Sequence, residues 1–123
     1  MTDGVPARAL QGRRILVVED DYILAQEPKA DLEAQGAEVL GPVPDLESAR
    51  DVVVAGPAPD AALLDINLGG EMVYPLADAL RGLGILVAFI TGYEAAAIPS
   101  AYAHVPRFEK PLDPHRLVRW LLA

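Results

Sequence analysis

The sequence predicts an α/β fold, an open parallel sheet assembled from five βα units. Short apolar runs begin at Ile15, Glu38, Ala61, Ile85 and Val105, so successive starts lie 23, 23, 24 and 20 residues apart. Each interval accommodates a strand, a loop and a helix of about a dozen residues, the length a parallel crossover needs. The first and third runs, Ile15-Leu16-Val17-Val18 and Ala61-Ala62-Leu63-Leu64, are continuously apolar rather than alternating. That pattern belongs to strands covered by helices on both faces.

The elements follow in order. Residues 1–12, rich in Gly, Pro and Ala without a period, are expected to form a flexible tail, with the domain spanning 13–123. Asp21 to Gln35 carries Ile23, Leu24, Ala30, Leu32 and Ala34 and stops at Gly36, which predicts a helix. Pro28 sits inside it. Proline removes a helix hydrogen bond and crowds the preceding turn, at a cost of about 3 kcal/mol if unrelieved, so a kink or a late start is expected. Asp45 is placed to cap a helix over Leu46 to Ala55, closed by Gly56-Pro57. Leu76, Ala79, Leu80 and Leu83 form an apolar stripe before Gly84. Between Tyr93 and His104, Ala95 to Ala97 favour a helix but Pro99 interrupts, predicting a short fourth helix. Asp113-Pro114 then pairs a cap with proline at the first helical position and opens Leu117, Val118, Leu121 and Leu122.

Composition narrows the function. A length of 123 residues fits one compact domain. Eighteen acidic against ten basic residues give a net charge of -8, which opposes binding to a phosphate backbone and predicts no nucleic-acid partner. The absence of Cys excludes disulfides, zinc-thiolate sites and thiol nucleophiles. No apolar run reaches the roughly 18 residues of a membrane span, and Met1 to Gly12 lacks a signal-peptide core, so a cytoplasmic protein without membrane attachment is expected.

In open parallel sheets ligands bind beyond the carboxyl ends of the strands. Glu19, Asp20 and Asp21 follow the first apolar run, Asp65 ends the third, Thr91 the fourth and Lys110 the fifth. Taken singly, each has an ordinary reading: a turn or cap for Asp65, turn chemistry for Thr91, a solvated Lys110, and a helix dipole complement for the acidic triplet. Together they converge on one sheet edge. Clustered carboxylates repel unless a cation sits among them, and oxygen-only ligation completed by waters and a substrate phosphate suits magnesium. A carboxylate can attack phosphorus to give an aspartyl phosphate, with Lys110 neutralising phosphoryl oxygens and the Thr91 hydroxyl donating to another.

These residues, Ile15-Leu16-Val17-Val18-Glu19-Asp20-Asp21, Leu63-Leu64-Asp65-Ile66-Asn67, Thr91-Gly92 and Lys110-Pro111, make the chain resemble the receiver domains of two-component response regulators from about Arg13 onward. The resemblance implies a doubly wound, flavodoxin-like five-stranded sheet of order 2-1-3-4-5, as in the chemotaxis receiver. It implies that Asp65 accepts a phosphoryl group from a phosphohistidine of a sensor histidine kinase or a histidine phosphotransfer protein. It also implies that Glu19 and Asp20 are the acidic pair, that Asp20, Asp65 and the backbone carbonyl of Asn67 hold Mg2+, that Thr91 and Gly92 switch, and that Lys110-Pro111 is a cis peptide. Phe89-Ile90-Thr91-Gly92-Tyr93 further resembles the Phe-Ala-Thr-Gly-Tyr motif of stand-alone receivers serving kinases of the HWE type, with Ile90 in place of alanine and Leu86-Val87 where the subgroup has Pro-Phe.

One position departs from the family. Arg107 stands three residues before Lys110, where most receivers have Tyr or Phe, and Phe108 is one residue off, which points it to the opposite sheet face. The expectation is that the loop after Thr91, with Tyr93 as the available ring, carries the switch. Tyr93, Arg107, Phe108 and Trp120 are the candidate signalling surface, on a monomer or a phosphorylation-dependent dimer. His104 and His115 lack a second ligand at metal spacing, and Gly69-Gly70 matches no nucleotide-binding loop. Two other classes fit less well. A small Mg-dependent aspartyl-phosphate phosphatase usually has a second Asp where this chain has Asn67. A phosphorylation-independent or flavodoxin-like binding module would not need Glu19, Asp20, Asp65, Thr91 and Lys110 together. The expectation is a phosphoacceptor signalling domain rather than an enzyme, capable at most of self-phosphorylation and autodephosphorylation.

Overall fold

The computed structural model describes residues 9–68, 71–91, 98–109 and 113–122. In chain order the elements are β1 (Arg14–Val18), α1 (Tyr22–Ala34), β2 (Glu38–Val43), α2 (Leu46–Ala55), β3 (Ala61–Asp65), β4 (Asn67–Leu68), β5 (Glu71–Met72), α3 (Tyr74–Gly82), β6 (Leu86–Thr91), a 3₁₀ turn (Ser100–Tyr102), β7 (Arg107–Glu109) and α4 (Pro114–Leu122). Five strands make a parallel sheet in the order β2-β1-β3-β6-β7. Counting only those five strands, this is the expected order 2-1-3-4-5. The chain winds outward from β1 to β2 and then back across to β3, so the crevice where the winding reverses opens beyond β1 and β3.

Alternation along the strands explains the continuous apolar runs. Leu16, Val18, Ala62, Leu64, Val87 and Phe89 face one helical layer, where they pack with Ala49 of α2 and Leu76, Ala77 and Leu80 of α3. Ile15, Val17, Ala61, Leu63, Ala88, Ile90 and Phe108 face the other, against Leu32 of α1 and Leu117, Val118 and Leu121 of α4. Each fully buried Leu or Ile contributes about 1.5–3 kcal/mol of transfer free energy. Both faces of the central strands are thus committed to packing. Only their ends remain for chemistry.

Local signals account for most boundaries. The Asp45 carboxylate accepts a hydrogen bond from the Ser48 amide at 2.7 Å, capping α2 as expected. Asp113 does the same for α4, accepting from the His115 amide at 3.0 Å. In β2 the register slips between Leu40 opposite Leu16 and Val43 opposite Val18. Gly41 sits at the slip with φ +102°, and a Cβ there would lie 2.7 Å from the Val17 carbonyl oxygen, so the bulge requires glycine.

Several expectations need correction. Order does not wait for Arg13: Leu10 is fully buried against the α1–α4 face, and its amide donates to the Gln35 carbonyl at 2.8 Å. One apolar residue in a Gly- and Pro-rich stretch has no period to betray it. The first helix begins at Tyr22 rather than after Pro28, which is buried within it. On α3 the buried stripe is Leu76, Ala77 and Leu80, whereas Ala79 is exposed and Leu83 lies past the helix end in solvent. An antiparallel pair, β4 with β5, lies between β3 and α3. Of the fourth helical segment, the described part is the 3₁₀ turn alone.

Candidate functional site

Asp65 is the last residue of β3. Val18 of β1 pairs with Leu64, which brings Glu19, the next residue, level with Asp65 at the crevice. Carboxylate oxygens of Glu19, Asp20 and Asp65 all lie within 4.8 Å of one another. The three are graded in exposure: Glu19 is buried, Asp65 half-buried and Asp20 exposed, so the cluster opens to solvent on the Asp20 side. Glu19 is fixed at two points. Its amide donates to the Val43 carbonyl at 2.9 Å, and its Oε1 accepts from the Asp21 amide at 3.3 Å. Three converging carboxylates, one of them buried, fit a hard divalent cation, which would cancel their mutual repulsion and accept oxygen ligands alone.

Two further elements bound the cluster. Asn67 begins β4 two residues after Asp65, and this corner is held by the Asn67–Met72 pairing and by the Val73 amide donating to the Ile66 carbonyl at 3.0 Å. The backbone carbonyl expected to serve as a metal ligand thus sits on a hydrogen-bonded corner rather than a free loop. On the other side, Ile90 of β6 pairs with Asp65, and Thr91 ends the strand one residue beyond. Thr91 is only 2% exposed, and its Oγ1 has no hydrogen-bond partner among the described residues. A buried hydroxyl in that state costs about 1–3 kcal/mol. A donor held unsatisfied beside a carboxylate cluster is suited to an incoming anionic oxygen.

Thr91 pairs with Glu109 of β7, so Lys110 is the next residue in the chain. Lys110, Pro111, Gly92 and Tyr93 lie outside the described residues, and with them the expected cis peptide and the expected switch ring.

No family model and no curated protein sequence matches this chain. Solved structures do. SdrG from Sphingomonas melonis Fr1 superposes with a TM-score of 0.79 at 32% identity, covering 90% of this chain and 97% of that one. Its beryllofluoride-activated conformation, recorded from Pseudomonas melonis Fr1, gives 0.75 at 33% identity over 89% and 92%. The N-terminal domain of a response regulator, sensory box and GGDEF protein from Carboxydothermus hydrogenoformans gives 0.72 at 26% over 89% and 90%. The receiver domain of the TMAO respiratory response regulator TorR shares the fold, with a TM-score of 0.75 at 23% identity over 89% and 93%. The chain belongs to the response-regulator receiver domains.

The remaining candidate residues of this receiver separate into two groups. Phe108 is buried in the α4 layer, its ring centroid 5.7 Å from that of half-buried Trp120 and 5.9 Å from the Arg116 guanidinium. Phe108 is therefore chiefly a packing residue, whereas Arg107, one residue earlier, is exposed on the opposite side of the edge strand. The one-residue offset read from the sequence puts Phe108 and Arg107 on opposite faces of the edge strand.

A different aromatic group was missed. Tyr74, at the start of α3, stacks on Tyr102 with centroids 4.6 Å apart and an interplanar angle of 26°. Both meet Phe89 edge-on, at 5.7 and 6.3 Å. The Tyr102 hydroxyl donates to Asp78 Oδ2 at 2.8 Å, and this bond to the carboxylate pushes the phenol's pKa up. Tyr102 lies in the stretch broken by Pro99, where no helical period signals a buried role.

Proposed function

We propose that this receiver stores a signal as a phosphoryl group on Asp65. The single observation that carries this reading is the clustering of the Glu19, Asp20 and Asp65 carboxylates at strand ends flanked by an unsatisfied, buried Thr91 hydroxyl. One Asp65 carboxylate oxygen attacks phosphorus as the bond to the donor imidazole nitrogen breaks, the nitrogen keeping the bonding pair. Asp20, Asp65 and the Asn67 carbonyl, with buried Glu19 behind them, would hold Mg2+, which when bound screens charge between acceptor and phosphoryl oxygens. Thr91 Oγ1 donates to a phosphoryl oxygen, and Lys110 neutralises another. Addition of charge at a site with a waiting donor biases a two-state segment.

The donor is a phosphohistidine of a sensor kinase, of the HWE type on the strength of the Thr91-Gly92-Tyr93 motif, or of a histidine phosphotransfer protein. Donor and acceptor meet in the cytoplasm, and the output is a protein contact rather than DNA binding, in keeping with a net charge of -8. The domain works as a monomer or as a phosphorylation-dependent dimer.

Intact-mass measurement after incubation with acetyl phosphate and magnesium tests the chemistry. The parent gains one phosphoryl group and Asp65→Asn gains none. A chelator abolishes labelling of the parent. Equal labelling of the Asp65→Asn variant removes Asp65 from the mechanism.

A further inference from the structure

We propose that Tyr102 latches the turn Ser100–Tyr102 onto α3 in the resting state, and that engagement of Thr91 by a phosphoryl group works against this latch. The inference rests on the Asp65 reading and assigns its regulation. Tyr74 and Asp78 are four residues apart on α3 and therefore share one face of that helix. Tyr102 uses both: its ring lies on Tyr74 and its hydroxyl on Asp78, while Phe89 closes the third side. These contacts join the two limbs of the site. Tyr74 opens the helix that follows Asp65, and Phe89 lies two residues before Thr91 on β6. Six residues connect Thr91 to Ile98, which packs against the same core cluster as Tyr102.

The resting arrangement leaves the Thr91 hydroxyl buried without a partner, a state that persists only if other contacts hold it. The Tyr102 contacts are placed to do so. The turn carrying the ring is itself closed by Tyr102 N–H to the Pro99 carbonyl at 2.9 Å and Val105 N–H to the Tyr102 carbonyl at 3.0 Å, so a displacement of β6 passed on through Phe89 acts on it as a unit. With Arg107 exposed where receivers usually carry the coupling ring, Tyr102 is, among the described residues, an aromatic side chain that touches both α3 and the strand that carries Thr91. It acts as a positioning residue, since it touches none of the reacting atoms.

Linkage fixes the sign. A contact made in the resting state and lost in the activated one weakens binding of whatever selects the activated state, and its removal strengthens that binding by the same factor. Magnesium and beryllofluoride, titrated into labelled protein and followed by amide resonances, provide the readout. The Tyr102→Phe and Asp78→Ala variants, which remove the hydrogen bond while leaving the stack, bind about threefold more tightly than the parent. Tyr102→Ala, which removes the stack as well, binds about tenfold more tightly. Combining Tyr102→Phe with Asp78→Ala adds nothing beyond either alone, because both remove one bond. Asp78 is exposed, so its variant keeps the packing intact should Tyr102→Ala perturb it. Unchanged or weaker affinity in Tyr102→Phe and Asp78→Ala overturns the latch while leaving Asp65 as the acceptor. Failure of the parent to bind, or equal binding by Asp65→Asn, overturns the phosphoacceptor reading and the latch with it.

Discussion

Thr91 is the residue at which stability and function pull in opposite directions. Its hydroxyl is buried and unpartnered among the described residues, so the resting fold would be better served by a methyl group in the same shape. Replacing an unsatisfied buried polar group by an isosteric apolar one is neutral or stabilising, by up to about 1–3 kcal/mol. Thr91→Val is accordingly expected to raise the melting temperature while leaving Asp65 able to accept a phosphoryl group and abolishing the amide shift changes that follow. A fall in melting temperature would show that the hydroxyl already has a resting partner. The residues of this site were legible in the sequence because each follows or ends an apolar run with a polar group at the carboxyl end of a strand. Glu19 after Val18, Asp65 after Leu64 and Thr91 after Ile90 all stand out for this reason. Tyr102 and Leu10 were illegible for the converse reason. Each is an apolar or aromatic residue in a stretch without period, and its importance arises from packing against residues distant in sequence.

At the scale of elements, regular spacing revealed the five sheet strands and the helices with caps. It did not reveal β4 and β5, whose two residues each offer too little length for alternation to appear. Nor did it find the true face of α3, where an exposed Ala79 and a Leu83 beyond the helix end imitated a longer stripe. The cap of α2 was legible and has a pH signature. The Ser48 amide holds the Asp45 carboxyl below its ordinary value by bonding to the charged form. A depressed folded-state pKa means that the stabilisation is present above the unfolded carboxyl pKa of about 3.9 and is lost as pH falls through the lower folded value. Asp45→Ala should therefore lower the denaturant midpoint at neutral pH, and the gap from the parent should close below about pH 4. A gap that persists unchanged in acid would assign the effect to packing rather than to the ionised cap.

The whole molecule carries its charge unevenly in consequence. A chain with a net charge of -8 also gathers Glu19, Asp20 and Asp65 within 4.8 Å at one crevice, a concentration of like charge that folding must hold against repulsion. The doubly wound topology makes this gathering unavoidable, because β1 and β3 are neighbours whose carboxyl ends point the same way. Sequence spacing sufficed to infer that convergence, whereas the graded burial that makes the cluster open on the Asp20 side depends on three-dimensional packing. A divalent cation that binds the folded cluster and not the unfolded chain stabilises by mass action, about 2.7 kcal/mol at a hundredfold excess over Kd. For a domain of this size that corresponds to a rise in melting temperature on the order of 10 °C. Asp20→Asn removes one of the three charges, so the variant is expected to melt higher than the parent without metal and to lose most of the magnesium-dependent rise. Differential scanning calorimetry with magnesium, and with an equal ionic strength of sodium chloride to separate site binding from screening, reads both effects. If sodium reproduces the full rise, or if Asp20→Asn retains it, the carboxylates are a merely repulsive surface and not a cation site.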